Sequence, residues 1–402
     1  MTRAGGEGVR RRRRRWLLLP ARALGLLLVA AAAVYGWAYA STNSSTIARA
    51  LVWRESDVGD QLRFPARRIP AGPRASPLPA GVELDLGAAP ASTGGAGEDF
   101  DEFLRANDTL AFLVVHKDSL VRERYFHGAD RRSRQTSFLV AKSFLSTLVG
   151  IAIDEGLIRS VEDGVTAYVP ELAQRDRRFN RVRLRDLLTM SSGIRYWDTD
   201  LPWPWADDTY TYYGVDLRQV ALRKTRIERP PAQWHYNNYN PLLLGLVLER
   251  ATGIPVSQFM STRLWQPLGA EADATWSLDS ERSRFEKLES GVNATPADYA
   301  RFGLLYLHGG VWNGARIVTE PWVRAATRND TSTDPAAHYQ YFWWIDVERP
   351  GRFYALGDYG QYVYVAPDAD AVVVRLGRDW GIDNRTWLDT FRDVADRLAA
   401  RS

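Results

Sequence analysis

Cysteine is absent from this sequence of 402 residues. The chain therefore has no disulfide, no thiolate nucleophile and no cysteine zinc site, and cysteine usage says nothing about its redox compartment. Only five histidines are present, and their spacing is not typical of a metal site, so we interpret them as structural or surface residues and expect no metal and no other cofactor. They are His116, His127, His235, His308 and His338.

Several sequence motifs of common enzymes are also missing. The chain has no Gly-x-Ser-x-Gly motif, no His-Glu-x-x-His pair and no glycine-rich phosphate-binding loop. No repeat of fixed period is visible. The composition is still that of a folded globular protein, because 45% of the residues are apolar and 25% are charged. The function must therefore be sought in motifs of another kind.

Positive charge is concentrated at the N-terminus. Residues 1–22 contain eight arginines and one glutamate, so this basic leader carries +7, whereas the whole chain carries +4 and the remainder carries −3. The basic pI of about 9.2 belongs to the leader. A negatively charged remainder is unsuited to nucleic acid. Because an apolar segment follows the arginines at once, we interpret them as the flank of a membrane segment and expect no nucleic-acid partner.

Residues 23–40 form an apolar segment of eighteen residues without a charge, about the length needed to cross a bilayer. The positive flank keeps its N-terminal side in the cytoplasm. We therefore expect a single-pass protein of the cytoplasmic membrane, with everything after Ser41 facing the periplasm or the cell exterior. An uncleaved anchor is the favoured interpretation. A cleaved signal is the alternative, because Ala38-Tyr39-Ala40 resembles a cleavage site.

Composition divides the rest of the chain near residue 99. Residues 41–98 are interpreted as a linker or an extended wrapping segment, rich in Pro, Gly and Ala after residue 65, with a short helix at 47–53. Residues 99–402 have two early strands, a helical middle, late strands and a final helix. This order predicts an α+β fold in which one antiparallel sheet, built from both chain ends, is flanked by helices and a large helical region. The predicted strands are 109–116, 120–126, 341–347, 353–356, 361–366 and 371–376.

A lysine stands inside an apolar helix. Residues 136–144, Thr-Ser-Phe-Leu-Val-Ala-Lys-Ser-Phe, open an apolar run that continues to Ile158 and predicts a buried helix. Lys142 lies within this run. A buried charge is costly unless it has a partner or a chemical task, so Lys142 is a candidate site residue.

Two loop motifs follow later in the chain. Residues 234–240 place Tyr236 and Asn238 two positions apart, where a phenol near a lysine can act as a base and an amide can orient a carbonyl. Residues 357–361, Gly-Asp-Tyr-Gly-Gln, lead into a strand, and glycine there allows the close backbone approach that an oxyanion hole requires. Taken singly, an ordinary loop explains the first motif better than a site does, and a tight hairpin turn explains the second at least as well.

Together the three motifs resemble those of the superfamily of serine β-lactamases, penicillin-binding proteins and esterases. The chain is most similar to the class C-like branch, near the serine hydrolases that include the aminohexanoate-oligomer hydrolases. The resemblance covers residues 100–400 and implies a β-lactamase/transpeptidase-like fold. It also implies acyl-enzyme chemistry by a serine three residues before the lysine. It extends to three further stretches, 185–193, 244–253 and 289–294.

The resemblance assigns roles to residues of this chain. Lys142 would be the partner of the nucleophile, and Tyr236 would be the general base, assisted by Asn238. The oxyanion would lie between the backbone N–H groups of Leu139 and Gln361, beside a substrate edge formed by Asp358 and Gly360.

Two departures from the family pattern affect this interpretation. Leu139 occupies the nucleophile position and has no nucleophilic atom. The third motif usually offers Lys-Thr-Gly or His-x-Gly, whereas Asp358-Tyr359-Gly360 lacks the cation, which weakens the case for a carboxylate-bearing substrate such as a β-lactam. Nearby serines should point elsewhere on the helix. They are Ser137, Ser143 and Ser146.

Three functional hypotheses remain. The favoured one is a membrane-anchored, extracytoplasmic homologue of these serine hydrolases that is impaired in acyl-enzyme chemistry and binds a small-molecule or peptide-like acyl ligand. The second is an active amide or ester hydrolase that uses Tyr236 or Ser137 instead. The third is a structural or interaction domain with a non-functional cleft.

Overall fold

The protein is described here by a computed structural model. It describes residues 7–90, 93, 97–199, 203–329 and 336–400, with side chains from residue 23 onward. Residues 1–6 of the basic leader and residues 94–96 of the glycine-rich stretch lie outside the described residues. The helices are α1 Glu7–Ala40, α2 Thr46–Trp53, α3 Phe100–Ala106, α4 Ala141–Asp154, α5 Glu171–Arg175, α6 Leu184–Leu188, α7 Asp207–Tyr213, α8 Leu217–Arg223, α9 Tyr239–Thr252, α10 Val256–Met260, α11 Pro296–Leu307, α12 Glu320–Thr327 and α13 Asn384–Ala399.

The strands form three antiparallel sheets. A seven-stranded sheet has the order β3-β2-β13-β12-β11-β10-β9, a four-stranded sheet has the order β1-β5-β6-β4, and β7 pairs with β8. The strands are β1 Ala66–Ile69, β2 Thr109–His116, β3 Ser119–Tyr125, β4 Gln135–Thr136, β5 Ala274–Ser277, β6 Val292–Ala294, β7 Val311–Trp312, β8 Ala315–Arg316, β9 Tyr339–Gln340, β10 Trp343–Ile345, β11 Phe353–Gly357, β12 Gln361–Ala366 and β13 Ala371–Gly377.

The seven-stranded sheet joins the two ends of the domain, as the sequence predicted. Its central strands are apolar on both faces because helices cover both. Leu113 and Val115 of β2 join the core on the side of α4 and α11, whereas Phe112 and Val114 join the core on the side of α3 and α13. This alternation follows from the two-residue period of a strand. The predicted α+β architecture with helices on a mainly antiparallel sheet is therefore confirmed.

The expectation of a single sheet is wrong, because a second, four-stranded sheet is also present. Its strands are two to four residues long, and Gln135 and Thr136 of β4 pair with β6 just before the Leu139 turn. Segments this short carry too few alternating residues to be recognised from hydrophobic period. The second sheet matters for the site because it fixes where the chain enters that turn.

Residues 41–90 wrap along the domain. The predicted short helix is present as α2, and the interpretation of the stretch from residue 65 as a linker or wrapping segment needs correction for its described residues. Ala66–Ile69 forms β1, which pairs with β5, and Leu84 and Leu86 are buried. Strand β1 was missed because two of its four residues are arginines: Arg67 pairs with the buried Glu286, and Arg68 pairs with Asp273 near the surface.

Among the described residues, one helix is long and apolar enough to cross a bilayer. It is α1, whose residues 23–40 form the apolar segment of the sequence and lie almost entirely outside the protein core. Helix α2 follows α1 after a short turn and packs against α7. The apolar helix is therefore linked to the domain through a docked segment rather than through a free linker.

Candidate active site

A cavity of about 360 Å³ opens beside Leu139. Its walls come from six parts of the chain: the segment after α2, the Leu139 turn, α7 with the loop before it, the Asn238 loop, Glu289, and the β11–β12 hairpin. The lining residues are Arg54, Glu55, Ser56, Leu139, Thr199, Asp208, Thr209, Tyr212, Tyr213, Asn238, Glu289, Asp358 and Tyr359. The structure therefore places three predicted site residues, Leu139, Asn238 and Asp358, around one space.

Leu139 lies in a 3₁₀ turn, Phe138–Val140, that leads directly into α4. Lys142 follows three residues later, in the first turn of α4, and residues three apart lie on the same face of a helix. Phe138 has a φ of +43°, which is rare for an aromatic residue, and its ring packs 5.2 Å from that of Tyr359. The tertiary packing thus holds a strained turn in place and presents Leu139 to the cavity.

Lys142 is buried beneath Leu139 in the first turn of α4. Its Nζ donates to the backbone carbonyl of Glu289 at 3.0 Å and lies 4.8 Å from the centroid of the Tyr236 ring. Burial lowers the pKa of Lys142 to about 7, although the carboxylates of Glu289 and Asp358 oppose this shift. Lys142 therefore gives up its proton much more readily than an exposed lysine, which suits proton transfer.

The buried charges around Lys142 balance one another. Lys287 forms an ion pair with Glu289 at 2.6 Å, and both side chains are buried. Burial raises the pKa of Asp358, and the neighbouring Lys142 charge opposes that rise. Two cations, Lys142 and Lys287, thus lie among two carboxylates. Such pairing is the usual condition for keeping charges inside a protein.

Tyr236 approaches the Lys142 ammonium with its ring face. It stacks on Trp344 at 6.0 Å and contacts Tyr339 edge-on at 5.9 Å. Burial raises the pKa of Tyr236 well above its usual value, and Asp358 adds to the rise. The phenol is therefore protonated at neutral pH. It can act as a base only after passing its own proton to another group.

Asn238 lines the cavity and carries an unpaired acceptor. Its Nδ2 donates to the Tyr196 hydroxyl at 3.1 Å, and its Oδ1 is buried with no hydrogen-bond partner in the described part of the chain. Glu289 has a similar orphan, because Oε1 accepts from Lys287 while Oε2 is buried without a described partner. Buried acceptors of this kind are rare and favour a ligand that donates hydrogen bonds.

The third motif, residues 357–361, spans the β11–β12 hairpin: Gly357 ends β11 and Gln361 begins β12. A Cβ on Gly357 would lie 2.2 Å from the Ser137 carbonyl oxygen and 3.0 Å from the Leu139 nitrogen, so only glycine allows this contact between β11 and the Leu139 turn. The next residue, Asp358, lines the cavity. The backbone of the motif therefore reaches the cavity at Asp358, beside the N–H of Leu139.

The structure does not bring Gln361 or Gly360 to the cavity. Gln361 pairs with Gly357 across the hairpin, and its side-chain amide donates to the Gly377 carbonyl at 2.8 Å. Gly360 has a φ of +73° and its carbonyl accepts from Arg375, which fills the space where a side chain would stand. The expected oxyanion donor Gln361 thus lies within the sheet. Counting motif positions along the chain could not reveal which hairpin residue turns inward.

The neighbouring serines are directed away from the cavity. Ser137 is fully buried and its Oγ donates to the Phe138 carbonyl at 3.0 Å, while Ser143 Oγ donates to the Phe342 carbonyl at 2.8 Å. Ser146 is buried in α4, with its Oγ unpaired among the described residues. In the same part of the chain, no group of three or more His, Asp or Glu side chains could hold a metal ion.

Sequence reasoning missed the wall formed by residues 54–56. The Tyr213 hydroxyl donates to the Arg54 carbonyl at 2.6 Å, and the Tyr359 hydroxyl donates to the Ser56 carbonyl. No sequence signal marks this segment as part of a site, since its role arises from tertiary docking. Glu289, by contrast, begins one of the stretches that carried the family resemblance, and a buried charge near Lys287 could have identified it.

Comparison with known proteins identifies the family. The model of the beta-lactamase family matches residues 100–386. The 6-aminohexanoate-dimer hydrolase of Paenarthrobacter ureafaciens is 30% identical over 315 residues, which cover 72% of this chain and 77% of the relative. Esterase EstB of Burkholderia gladioli is 28% identical over 202 residues, which cover 46% of this chain and 51% of the esterase.

Solved structures show the same fold. A Bacillus anthracis protein assigned as a 6-aminohexanoate-dimer hydrolase superimposes with a TM-score of 0.75 at 24% identity, covering 83% of this chain and 91% of that one. A penicillin-binding protein of Bacillus halodurans superimposes with a TM-score of 0.55 at 13% identity, covering 72% and 97%. With its Lys142 helix, Asn238 loop and hairpin around one cavity, the chain belongs to the beta-lactamase family and is similar to the 6-aminohexanoate-dimer hydrolases.

Proposed function

We propose that this protein is a membrane-tethered, extracytoplasmic member of the beta-lactamase family that binds an amide- or amine-bearing acyl ligand beside Leu139 without forming an acyl-enzyme. The observation that carries the proposal is the side chain of Leu139. It lines the cavity three residues before Lys142, where the fold presents a residue to both, and it is a hydrocarbon without a nucleophilic atom. Loss of the nucleophile of a serine hydrolase costs about 10⁶ in turnover, as in subtilisin.

The ligand class follows from the cavity walls. Four carboxylates and one cation, Arg54, line the cavity; the buried Lys142 and Lys287 balance Glu289 and Asp358, so Glu55 and Asp208 leave the wall with a negative excess. The unpaired oxygens of Asn238 and Glu289 add two acceptors. The carboxylates are those of Glu55, Asp208, Glu289 and Asp358. Such a wall favours a ligand with N–H donors or an ammonium group and disfavours a carboxylate next to the reacting carbonyl. The names of the relatives make the 6-aminohexanoate dimer the first ligand to test.

Binding without turnover is supported by what remains around Leu139. The backbone N–H of Leu139 has no described backbone partner and lies at the junction with β11. Lys142, Tyr236 and Asn238 are also retained. A carbonyl could therefore be polarised and oriented without being attacked.

Hydrolysis by a substitute residue is less well supported. Ser137 Oγ is buried and bonded to a carbonyl, and the raised pKa of Tyr236 keeps its phenol protonated. Neither group is an activated nucleophile, because activation requires a lowered pKa or an adjacent base.

Membrane tethering is supported by α1. Its residues 23–40 are apolar, and the preceding basic leader favours a cytoplasmic N-terminus. The domain that follows residue 41 would then lie outside the cytoplasm, close to the bilayer surface.

A ligand-binding experiment on the purified full chain in detergent tests the proposal. Thermal unfolding is measured with the linear 6-aminohexanoate dimer and with its N-acetylated form, which lacks the ammonium group. We expect a saturable rise in Tm of several degrees with the free amine and a smaller rise with the acetylated form. Intact-mass spectrometry should show no adduct after long incubation.

Matched variants locate the binding. Asn238→Leu should reduce the rise in Tm, whereas Asn180→Leu, at an exposed site outside the cavity, should leave it unchanged. A covalent adduct on the natural chain would contradict the proposal and favour the active-hydrolase hypothesis. No shift with either ligand or with a wider panel of short amides would favour a domain whose cleft binds nothing.

A further inference from the structure

A second cavity, of about 350 Å³, lies near the first and has the opposite charge. Three cations line it, together with two tryptophans and a tyrosine; the lining residues are Arg195, Trp197, Trp205, Asp207, Tyr210, Lys224 and Arg226. We call these residues, with the neighbouring Trp203, the tryptophan–cation surface. Nothing in the reaction of the beta-lactamase family requires it.

The cations of this surface form no ion pairs among the described residues. None of Arg195, Lys224 and Arg226 pairs with a described carboxylate within the salt-bridge distance, and all three are exposed. One carboxylate, Asp207, shares the lining and binds neutral donors instead: Oδ2 accepts from the backbone N–H of Trp197 at 2.9 Å and Oδ1 accepts from the Tyr239 hydroxyl at 2.6 Å. The lining therefore carries a formal excess of two positive charges, which suits an anion such as a phosphate group.

The aromatic part of the surface is also unusually exposed. Trp197, Trp203 and Trp205 are 43%, 50% and 58% exposed, and Trp203 packs edge-on against Trp205 at 5.6 Å. The Lys224 ammonium lies 3.9 Å from the centroid of the Tyr210 ring. Exposed tryptophans beside cations are typical of the interfacial region of a bilayer, where an indole has one apolar and one hydrated side.

The surface is connected closely to the apolar helix. Arg49 of α2 donates to the carbonyls of Tyr213 and Gly214 at the C-terminal end of α7. Trp203 and Trp205 lie just before the other end of α7, and a helix of seven residues is about 10 Å long. Because only a short turn separates α2 from α1, the tryptophan–cation surface must lie near the point where α1 leaves the domain.

We infer that the tryptophan–cation surface rests on the headgroups of an anionic phospholipid bilayer, with the tryptophans in the interface and the cations on lipid phosphates. This inference rests on the proposed tethering by α1 and extends it. Thr199, Asp208 and Thr209, which line the first cavity, belong to the same segment of the chain. The mouth of the Leu139 cavity would then face the bilayer, and its ligand would arrive as a membrane-borne amide or amine.

The absence of cysteine allows a direct test on the full chain. A nitroxide label is placed at Trp203→Cys, and separately at Val82→Cys, an exposed control site beside β3. Each protein is reconstituted into vesicles of phosphatidylcholine alone or with one-third phosphatidylglycerol. We expect the label at 203 to be shielded from a water-soluble nickel relaxant and accessible to oxygen in the anionic vesicles, while the label at 82 stays in water.

Charge variants and flotation separate this inference from the tethering. Neutralising the three cations (Arg195→Gln, Lys224→Gln, Arg226→Gln) should return the 203 label to water, because each cation contributes about fivefold to partitioning and the three together on the order of 100-fold. Flotation with both vesicle types supports anchoring by α1. Flotation only with anionic vesicles, lost in the triple variant, would support the surface and refute the anchor. A 203 label that remains in water in anionic vesicles, or a chain that floats with neither type, would overturn the inference.

Discussion

At the scale of a single residue, Lys142 is the buried polar group that most clearly marks the cavity as a candidate site. The amine is buried, yet its surroundings supply two carboxylates and an aromatic face. A buried position with only a structural role more often holds an apolar residue than a lysine, because burying a charge costs stability. Its retention beside Leu139 fits a cavity that still orients a polar ligand.

The pKa of Lys142 depends on Asp358, and this dependence can be measured. Asp358→Asn removes a negative charge that stabilises the Lys142 ammonium. The substitution should therefore lower the pKa of Lys142 below its present value of about 7. The chain has only four lysines, so the side-chain signals of ¹³C-labelled lysine can be followed by NMR across pH. Glu281→Gln, at an exposed carboxylate, serves as the control. An unchanged or raised Lys142 pKa would contradict the charge arrangement described above.

The same pKa gives a sign to the pH dependence of stability. In the unfolded chain a lysine keeps its proton up to about pH 10.4, whereas folded Lys142 loses it near 7. Between these values the unfolded state binds more protons, so the contribution of Lys142 to the free energy of unfolding rises with pH. Lys142→Met should therefore stabilise the protein most at pH 6 and least near pH 10, as measured by denaturant unfolding. The opposite trend would exclude a buried, destabilised ammonium.

At the scale of elements, the contact between β11 and the Leu139 turn shapes the cavity. Gly357→Ala forces a Cβ against the Ser137 carbonyl and should cost about 1–3 kcal/mol in the free energy of unfolding, as overpacking usually does. Gly164→Ala is the matched control, because its φ is −65° and its nearest neighbour would lie at 3.7 Å. Equal effects of the two substitutions would show that the contact is loose.

The elements differ in how far the sequence predicted them. Strands β2, β12 and β13 were predicted to within one residue, because their long apolar runs report burial directly. The four-stranded sheet was missed because its strands are short and hold charged or polar residues.

The candidate site was predicted in part for a related reason. Lys142, Tyr236 and Asn238 belong to motifs in which chemistry fixes both residue type and spacing. Residues 54–56 enter the cavity only because α2 docks on α7, and Gln361 was misplaced because a hairpin turn decides which backbone group faces inward. Such contacts join distant segments, and no local pattern records them.

At the scale of the whole molecule, the fate of α1 determines whether the cavity is held at a membrane or released from it. If α1 is an uncleaved anchor, the full-length chain should remain with membranes after alkaline carbonate extraction and be released only by detergent. Mass spectrometry of the membrane fraction should then find the N-terminal residues. A soluble chain that begins near residue 41 would instead show that residues 23–40 are a cleaved signal.

The most direct test of the central claim is ester hydrolysis by Leu139→Ser beside the natural chain, in a panel of small chromogenic esters. The account predicts hydrolysis by the variant and none above background by the natural chain, because the turn, Lys142 and the backbone donors already surround position 139. Circular dichroism confirms that both proteins are folded, and Leu139→Ala should be as inactive as the natural chain. Equal hydrolysis by the natural chain and Leu139→Ser would contradict the account, because another residue would then be the nucleophile.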